Sequence, residues 1–211
     1  MGDDVKENLP ERTQARTRLA RRAVIEAARS LFIEGGYAMT TVAAISRRAD
    51  VPEPTVYRLF SSKVGILKVL LDVSIAGDDE PVAVPNRPAV ASALGEPDPH
   101  QVLAGFAAIT TEINRRTNDL YTVLARAADS DAEAAALLDG VGRQRDRGQA
   151  QLVNALHRRR TLRAGLTART AADIVHALMS PEVYRLLVVD RGWEPERYQR
   201  WATDLLIHQL T

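Results

Sequence analysis

Cysteine is absent from all 211 residues of the sequence. Disulfide bonds, thiolate nucleophiles and cysteine-ligated metal sites are therefore excluded. No uncharged apolar run approaches the roughly 20 residues that a helix needs to cross a bilayer. The polar and acidic start of the chain also lacks the apolar stretch of a secretion signal. We therefore expect a cytoplasmic protein with no membrane partner.

The residue patterns of catalytic and metal sites are also missing. The four histidines lie in separate segments without the spacing of metal ligands. The sequence Gly140-Val141-Gly142 does not follow a strand pattern, so it does not make a nucleotide-binding fingerprint. We therefore expect that the chain is not an enzyme and that it carries no metal or organic cofactor.

Positive charge is concentrated near the start of the chain. Residues 12–63 hold ten lysines and arginines against four acids, whereas residues 64–211 hold seventeen against nineteen. Such a block is typical of a surface that meets a polyanion. An arginine-rich helix face exposed to solvent would have the same composition, so charge alone leaves both interpretations open.

Apolar residues recur at helical spacing and no segment shows the alternation of a strand, so we predict an all-α fold. Pro181 predicts a bend or break just before it, and Gly140, Gly142 and Gly148 are consistent with a kink in the helix that contains them. The predicted helices are, in chain order, residues 16–34, a short helix capped by Thr40 or Thr41, a second short helix ending at Phe60, and residues 63–75, 100–116, 119–128, 132–160, 168–189 and 195–210.

Residues 77–99 separate the two groups of predicted helices. Five prolines in this segment exclude one regular helix, although a short helical turn fits near residues 89–94. The segment is either a plain exposed loop or a connection that lies over the mouth of a cavity.

Residues 40–60 have the dimensions of a helix-turn-helix, in which a second short helix enters the major groove of DNA. The apolar residues expected to pack the two helices together and against Phe32 are Val42, Ile45, Val51, Val56 and Phe60. The residues left on the surface of the second helix are Glu53, Pro54, Thr55, Tyr57 and Arg58. The helix begins after Pro52, so its free N–H groups would point at the DNA backbone.

A longer pattern of fixed positions extends across this region. It runs Ile25-x-x-Ala28-x-x-x-Phe32-x-x-Gly35-Gly36-Tyr37-x-x-Thr40-Thr41-x-x-x-Ile45-x-x-x-Ala49-x-Val51-x-x-x-Thr55-Val56-Tyr57-x-x-Phe60-x-Ser62-Lys63. The chain between about residues 18 and 75 thereby resembles the N-terminal DNA-binding domain of the TetR/AcrR regulators. The resemblance implies an all-α fold, dimerisation through the last two long helices and an effector pocket in the C-terminal domain. It also implies that Thr40 or Thr41, Tyr57 and Lys63 contact phosphates, while Glu53, Pro54 and Thr55 face base edges.

The sequence departs from this family pattern in the helix-turn-helix. Asp50 stands where the turn usually has glycine, and aspartate tolerates the left-handed backbone. Leu59 occupies a position where a polar residue often contacts phosphate. Glu53 either accepts a hydrogen bond from a cytosine amino group or stabilises the helix N-terminus through the helix dipole.

Three regions follow from these patterns. Residues 1–15 are a flexible arm, which is either disordered or carries Arg12 and the adjacent Arg16 towards a minor groove. Residues 16–62 form a three-helix DNA-binding domain that contains the helix-turn-helix. Residues 63–211 form a helical effector-binding and dimerisation domain.

The C-terminal domain is rich in large apolar residues. Candidate pocket residues, which would serve equally well as ordinary core, are Phe106, Ile109, Ile113, Tyr121 and Leu124. The broad apolar faces of the last two helices must be buried within the fold or against a second copy of the chain. The candidate dimer residues on these faces are Leu178, Val183, Leu187, Trp201 and Leu205.

These patterns together predict a homodimeric, sequence-specific regulator that binds double-stranded operator DNA. The predicted regulator is a repressor that a small-molecule effector releases from its operator. The alternative is a helical adaptor that keeps the fold without binding DNA. The exposed residues Thr55, Tyr57 and Lys63 argue against that alternative.

Overall fold

The computed structural model describes residues 9–77 and 87–211, which contain helices and no strand. The chain divides into two compact units, one ending at Leu70 and the other beginning at Leu71. The predicted all-α fold is confirmed. The division lies inside a helix, whereas the sequence pattern placed the domain boundary between residues 62 and 63.

The first helix, α1 (Leu9–Met39), is longer than the predicted residues 16–34. Residues 9–15 of the predicted arm are helical, and a proline near the start of the helix is compatible with this because its missing N–H needs no partner in the first turn. The rest of the arm and the side chain of Arg12 lie outside the described residues, while Arg16 is exposed. The helix is broken at Gly36, whose φ of 76° and ψ of 169° are readily accessible to glycine.

Two short helices follow, α2 (Val42–Ala49) and α3 (Glu53–Phe60). Thr41 begins α2, because its hydroxyl accepts a hydrogen bond of 3.1 Å from the amide of Ala44, which satisfies a free N–H of the first turn. Asp50 ends α2 in the left-handed conformation, with φ 51° and ψ 42°. The hydroxyl of Ser46 donates a hydrogen bond of 2.6 Å to the carbonyl oxygen of Val51. The predicted helix-turn-helix is therefore present, and Asp50 replaces glycine in its turn.

Apolar side chains of the first unit form a small core beneath the helix-turn-helix. The Phe32 ring is fully buried and stacks on Tyr37, with 5.8 Å between the ring centroids. The five apolar positions predicted to hold the two short helices are all buried, namely Val42, Ile45, Val51, Val56 and Phe60. The burial of these residues leaves the opposite face of α3 free for another role.

The fourth helix, α4 (Lys63–Ala76), begins beside the end of α3 and passes from the first unit into the second. The hydroxyl of Ser62 accepts a hydrogen bond of 3.1 Å from the amide of Gly65. A Cβ atom at Gly65 would overlap the carbonyl oxygen of Phe60. The turn between α3 and α4 is therefore so close that only glycine fits at this position.

The second unit contains the end of α4 and the remaining helices. Gly77 closes α4 with φ 87° and donates its N–H to the carbonyl oxygen of Val73 at 2.8 Å. The later elements are α5 (Pro88–Gly95), α6 (Pro99–Ala128), α7 (Ala132–Arg158), α8 (Ala168–Leu178), α9 (Pro181–Tyr184), a π-helical segment (Arg185–Asp190) and α10 (Pro195–Leu210). The predicted break before Pro181 is confirmed, and α7 stays helical through its three glycines.

Helix α6 is one continuous helix, so the prediction of two helices over residues 100–116 and 119–128 was wrong. Thr117 and Asn118, which the prediction left between the two helices, are both buried. The hydroxyl of Thr117 donates to the carbonyl oxygen of Ile113 at 2.8 Å, and the amide of Asn118 donates to the carboxylate of Asp119 at 3.0 Å. These polar groups are satisfied within the helix, so they do not interrupt it.

The core of the second unit centres on α6, α7, α8 and α10. Tyr198 is fully buried there, and its hydroxyl donates a hydrogen bond of 3.0 Å to the carbonyl oxygen of Leu178. Burial raises the pKa of this phenol far above its ordinary value of 10.0. Across the described ranges, no helix has the length and apolar composition needed to cross a membrane.

Candidate functional site

The outward face of α3 carries polar and aromatic side chains over a buried apolar face. Glu53, Pro54 and Arg58 are exposed, Thr55 is half-buried, and 48% of Tyr57 is accessible to solvent. The structure thus brings together on one helix the five α3 residues that the sequence singled out.

The N-terminus of α3 leaves the role of Glu53 open. Pro52 precedes the helix without a side-chain hydrogen bond to it, and Glu53 is the acidic residue of the first turn. An acid in the first turn stabilises a helix through the dipole, yet Glu53 is also exposed. Both interpretations of Glu53 fit this geometry.

Thr40 and Thr41 have different surroundings. Only 3% of Thr40 is exposed, and its hydroxyl donates to the carbonyl oxygens of Leu31 at 3.1 Å and Gly36 at 2.8 Å. Thr41 is exposed at the start of α2. The position of Thr40 does not support the expected phosphate contact, because its hydroxyl is inside the unit; Thr41 is the better-placed candidate of the two.

Lys63 is half-buried at the start of α4. Its ammonium donates a hydrogen bond of 2.9 Å to the carbonyl oxygen of Tyr37 and lies 4.0 Å from the centre of the Tyr37 ring. The side chain therefore joins the start of α4 to the end of α1. Because Lys63 is only partly buried, a structural role and a phosphate contact are compatible.

The arginines of the first unit are partly engaged with their neighbours. Arg48 forms a bidentate ion pair with Glu34, with 2.9 Å from Nη1 to Oε2 and 3.2 Å from Nη2 to Oε1, and both side chains are exposed. The Arg21 guanidinium lies 5.4 Å from the centre of the Phe60 ring. Surface pairs of this kind contribute little stability, and Glu34 offsets part of the positive charge of Arg48.

A cavity lies in the second unit between α6, α7 and neighbouring segments. It encloses about 1050 Å³ of empty space, part of which is open to solvent. Four of the five candidate pocket residues line it, namely Phe106, Ile109, Ile113 and Tyr121. Leu124 does not line it and is fully buried in the core. The other apolar side chains around the cavity are Leu71, Ile75, Val90, Ala93, Leu94, Val141, Met179 and Pro181.

One wall of the cavity is polar and belongs to α7. Arg145 and Gln149 line this wall one helical turn apart, since residues four apart share a helix face. The amide nitrogen of Asn114 on α6 donates to the carbonyl oxygen of Met179 at 3.5 Å. The apolar pattern of the sequence pointed only to α6, so it missed these α7 residues; a polar i, i+4 pair on a helix with an otherwise apolar inner face was the available signal.

An ionic cluster borders the same wall. The hydroxyl of Tyr121 donates a hydrogen bond of 2.8 Å to Glu182, whose other carboxylate oxygen lies 3.8 Å from the Nη1 atom of Arg145. Burial and the nearby carboxylate raise the pKa of Tyr121 to about 12. Burial tends to raise the pKa of Glu182, but the Tyr121 hydrogen bond and the Arg145 charge outweigh it and lower that pKa below 4.5. Glu182 is therefore ionised and Tyr121 neutral at neutral pH.

The candidate dimer residues lie at the periphery of the second unit. Leu178, Val183, Leu187 and Trp201 are partly buried and pack against the core, and Leu205 is half-buried. Leu186 and Val189 in the π-helical segment are 53% and 52% exposed. Apolar side chains thus remain accessible along the segment that carries Leu187. Among the described residues, no group of three His, Asp or Glu side chains could hold a metal ion.

The sequence model of the family described as "Bacterial regulatory proteins, tetR family" matches residues 24–70, which contain α2, α3 and the start of α4. No curated protein sequence matches the chain.

Solved structures share the fold of nearly the whole chain. The fatty acid degradation regulator FadR from Bacillus halodurans is 18% identical with a TM-score of 0.67, and the match covers 96% of this chain and 97% of that one. NalD from Pseudomonas aeruginosa, the secondary repressor of the MexAB-OprM multidrug efflux pump, is 18% identical with a TM-score of 0.70, over 91% and 96% of the two chains. FadR from Bacillus subtilis, solved in complex with stearoyl-CoA, is 17% identical with a TM-score of 0.66, over 88% and 97%. Residues 24–70 are therefore similar to the tetR family of bacterial regulatory proteins, and nearly the whole chain shares the helical fold of these solved structures.

Proposed function

We propose that this protein is a sequence-specific DNA-binding repressor that a small molecule releases from its operator. The observation that carries the proposal is the division of α3 into two faces. Val56 and Phe60 are buried, while Glu53, Pro54 and Tyr57 are exposed on a rigid helix. A short helix fixed in this way has the size and exposure needed to enter the major groove.

The proposed contacts follow from the chemistry of each exposed side chain. Tyr57 and Arg58 contact phosphates or bases through a hydroxyl and a guanidinium. Thr41 and Lys63 contact phosphates on either side of the helix-turn-helix and thereby fix its register. Pro54 and Thr55 face base edges at the start of α3, together with Glu53 if it accepts from cytosine.

Binding by a homodimer explains the accessible apolar side chains of the second unit. Two copies related by a two-fold axis would bury the proposed dimer residues, which are Leu178, Val183, Leu187, Trp201 and Leu205. The dimer would present two copies of α3 to half-sites about one or more helical turns of DNA apart.

The cavity of the second unit is the proposed effector site. Its volume and largely apolar lining suit a small organic molecule. Leu71 and Ile75 of α4 line it, and the same helix begins at Lys63. Suppose that α4 can take two positions and that only one of them is compatible with DNA binding. An effector that binds the protein more tightly in the other position must then weaken DNA binding. The stearoyl-CoA bound to the Bacillus subtilis FadR is an instance of a large ligand in a protein of this fold.

Selection of bound fragments from genomic DNA tests the proposal directly. We expect enrichment of sites with two-fold symmetry, and gel-shift titrations should show binding that weakens as salt rises. A protein that prefers no double-stranded fragment, even at low ionic strength, would contradict the proposed function. For the dimer, sedimentation of a species larger than the 23.2 kDa chain is expected.

A further inference from the structure

The polar wall of the cavity contains hydrogen-bond donors that the protein itself does not use. Gln149 is 4% exposed, and its amide nitrogen Nε2 has no hydrogen-bond partner among the described residues. The Nε atom of Arg145 is also buried without a partner there. We call these two groups the donor pair. Buried donors without acceptors cost free energy, so their presence beside a cavity indicates that something else supplies the acceptor.

The other nitrogens of Arg145 each have a neighbouring side chain. Its Nη2 atom lies 3.0 Å from Nε2 of His176, which must accept the hydrogen bond because a guanidinium has no lone pair to offer. The proton of His176 is then on Nδ1, which lies 3.1 Å from the carboxylate of Asp146. Nη1 faces Glu182 at 3.8 Å. The outer end of the guanidinium thus faces these two neighbours, and Nε is its buried N–H without a partner among the described residues.

The charge at the donor pair favours an anionic acceptor. Of the described side chains that line the cavity, Arg145 is charged and none is an aspartate or glutamate. The nearest acid, Glu182, already accepts the Tyr121 hydroxyl, and 61% of its side chain is in solvent. Solvent screens that carboxylate more than it screens the buried Nε atom, so Glu182 does not satisfy the donor pair.

We propose that the effector is an apolar carboxylic acid, bound as its carboxylate. The carboxylate oxygens accept hydrogen bonds from Nε of Arg145 and Nε2 of Gln149, which are charge-assisted on the arginine side. The apolar body lies along Leu71, Val90 and Phe106 and the other apolar side chains of the cavity. This inference rests on the proposed role of the cavity as the effector site and adds the chemical class of the ligand.

Calorimetric titration of the full chain without DNA tests the proposal. The probes are hexanoate, decanoate, dodecanoate and palmitate, each paired with the alcohol of the same chain length and, for decanoate, with decylamine. We expect at least one carboxylate to bind on the order of tenfold more tightly than its alcohol, as one hydrogen bond to a charged group would give. We expect decylamine to bind more weakly than either. Equal binding of every acid and its alcohol, or no binding of any acid, would overturn the proposal.

Two variants of the donor pair and one control locate the selectivity. Gln149→Leu keeps the approximate volume, and Arg145→Gln removes the charge; each should reduce the preference for the carboxylate by about tenfold and leave the alcohol nearly unaffected. Arg147→Gln is the matched control, because Arg147 is exposed on the same helix and does not line the cavity. If Arg145→Gln fails to fold, Gln149→Leu decides alone. A preference that survives in Gln149→Leu would overturn the assignment.

The titration also separates this inference from the proposed function. Loss of carboxylate preference concerns the ligand class alone, since no DNA is present. DNA binding by the same preparation is measured by gel shift. A protein that binds operator DNA without preferring any carboxylate would contradict only the inference, and one that prefers a carboxylate without binding DNA would contradict only the proposed function.

Discussion

The ammonium of Lys63 lies 4.0 Å from the centre of the Tyr37 ring and donates a hydrogen bond of 2.9 Å to the carbonyl oxygen of the same residue. Tyr37 in turn stacks on the buried Phe32 ring. One cation therefore connects the first residue of α4 to the aromatic core beneath the helix-turn-helix. The residue that the family resemblance assigns to phosphate binding therefore also makes contacts within the first unit.

Lys63→Met tests that double role. The substitution keeps the apolar stem and removes the ammonium, so we expect the free energy of unfolding to fall by about 1–2 kcal/mol. We also expect weaker DNA binding. Urea denaturation measures the first effect and gel shift the second. The control is Arg58→Met, which should weaken DNA binding while changing stability by less than about 0.5 kcal/mol, because Arg58 is exposed. An unchanged unfolding midpoint for Lys63→Met would refute the structural role.

Arg58→Ala should weaken binding to all DNA sequences. If Arg58 contacts one phosphate, the slope of log K against log salt should become shallower by about 1, because one fewer counterion is released. The matched variant Arg169→Ala removes an exposed arginine of the second unit and should leave the slope unchanged. Equal slopes for Arg58→Ala and the parent would show that Arg58 does not contact phosphate.

Gly65→Ala should destabilise the first unit. Its Cβ would overlap the backbone carbonyl oxygen of Phe60, so α3 and α4 must separate, at a cost of about 1–3 kcal/mol. Gly35→Ala is the control, since nothing lies within 4 Å of its Cβ position and alanine is favoured over glycine in a helix by about 0.5–1 kcal/mol. Thermal denaturation compares the two variants, and equal melting temperatures would contradict the close contact.

Thr40→Val and Thr40→Ser separate a structural from a DNA-binding role at Thr40. Valine removes the hydroxyl that donates to Leu31 and Gly36, and we expect a loss of stability of about 1–2 kcal/mol. Serine keeps the hydroxyl and should retain most of that stability. If the folded Thr40→Val protein lost DNA affinity at unchanged stability, the hydroxyl would act on phosphate after all.

The ion pair of Glu182 predicts a dependence of stability on acid pH. Because the folded state lowers the pKa of Glu182 below 4.5, its contribution is present above that pH and is lost as pH falls through the folded-state pKa. The melting temperature of the parent should therefore approach that of Glu182→Gln as the pH is lowered from neutral to about 3. A constant difference over this range would contradict the ionised interaction with Tyr121 and Arg145.

The sequence predicted the first unit in more detail than the second. The helix-turn-helix depends on local signals, which are the Thr41 cap, the left-handed residue Asp50 and the apolar positions around Ile45, and all of these lie close together in the chain. Local signals also marked the break before Pro181. Such features are visible in a single sequence because backbone geometry restricts which residues can occupy them.

The cavity and the length of α6 depend on contacts between distant segments. The prediction left Thr117 and Asn118 outside both helices, whereas the structure buries them within one continuous helix. The candidate pocket residues drawn from the sequence did not include Arg145 and Gln149 of α7, because a polar pair at helical spacing does not show by itself that its helix face borders a cavity. The opposite error occurred at Leu124. Its apolar side chain was a candidate for the pocket, whereas the structure buries it in the core.

Arg116 on α6 donates two hydrogen bonds to the end of α4, from Nε to the carbonyl oxygen of Ser74 at 2.9 Å and from Nη2 to that of Ile75 at 3.0 Å. Those carbonyls belong to the last turn of α4, and the last four carbonyl groups of an α-helix have no partner within a regular helix. The Arg116 guanidinium thus supplies the hydrogen bonds that a further turn of α4 would have made. Any movement of α6 near Arg116 must therefore either move the end of α4 with it or break both hydrogen bonds. A ligand that displaced α6 beside Ile113 would then also displace the end of α4.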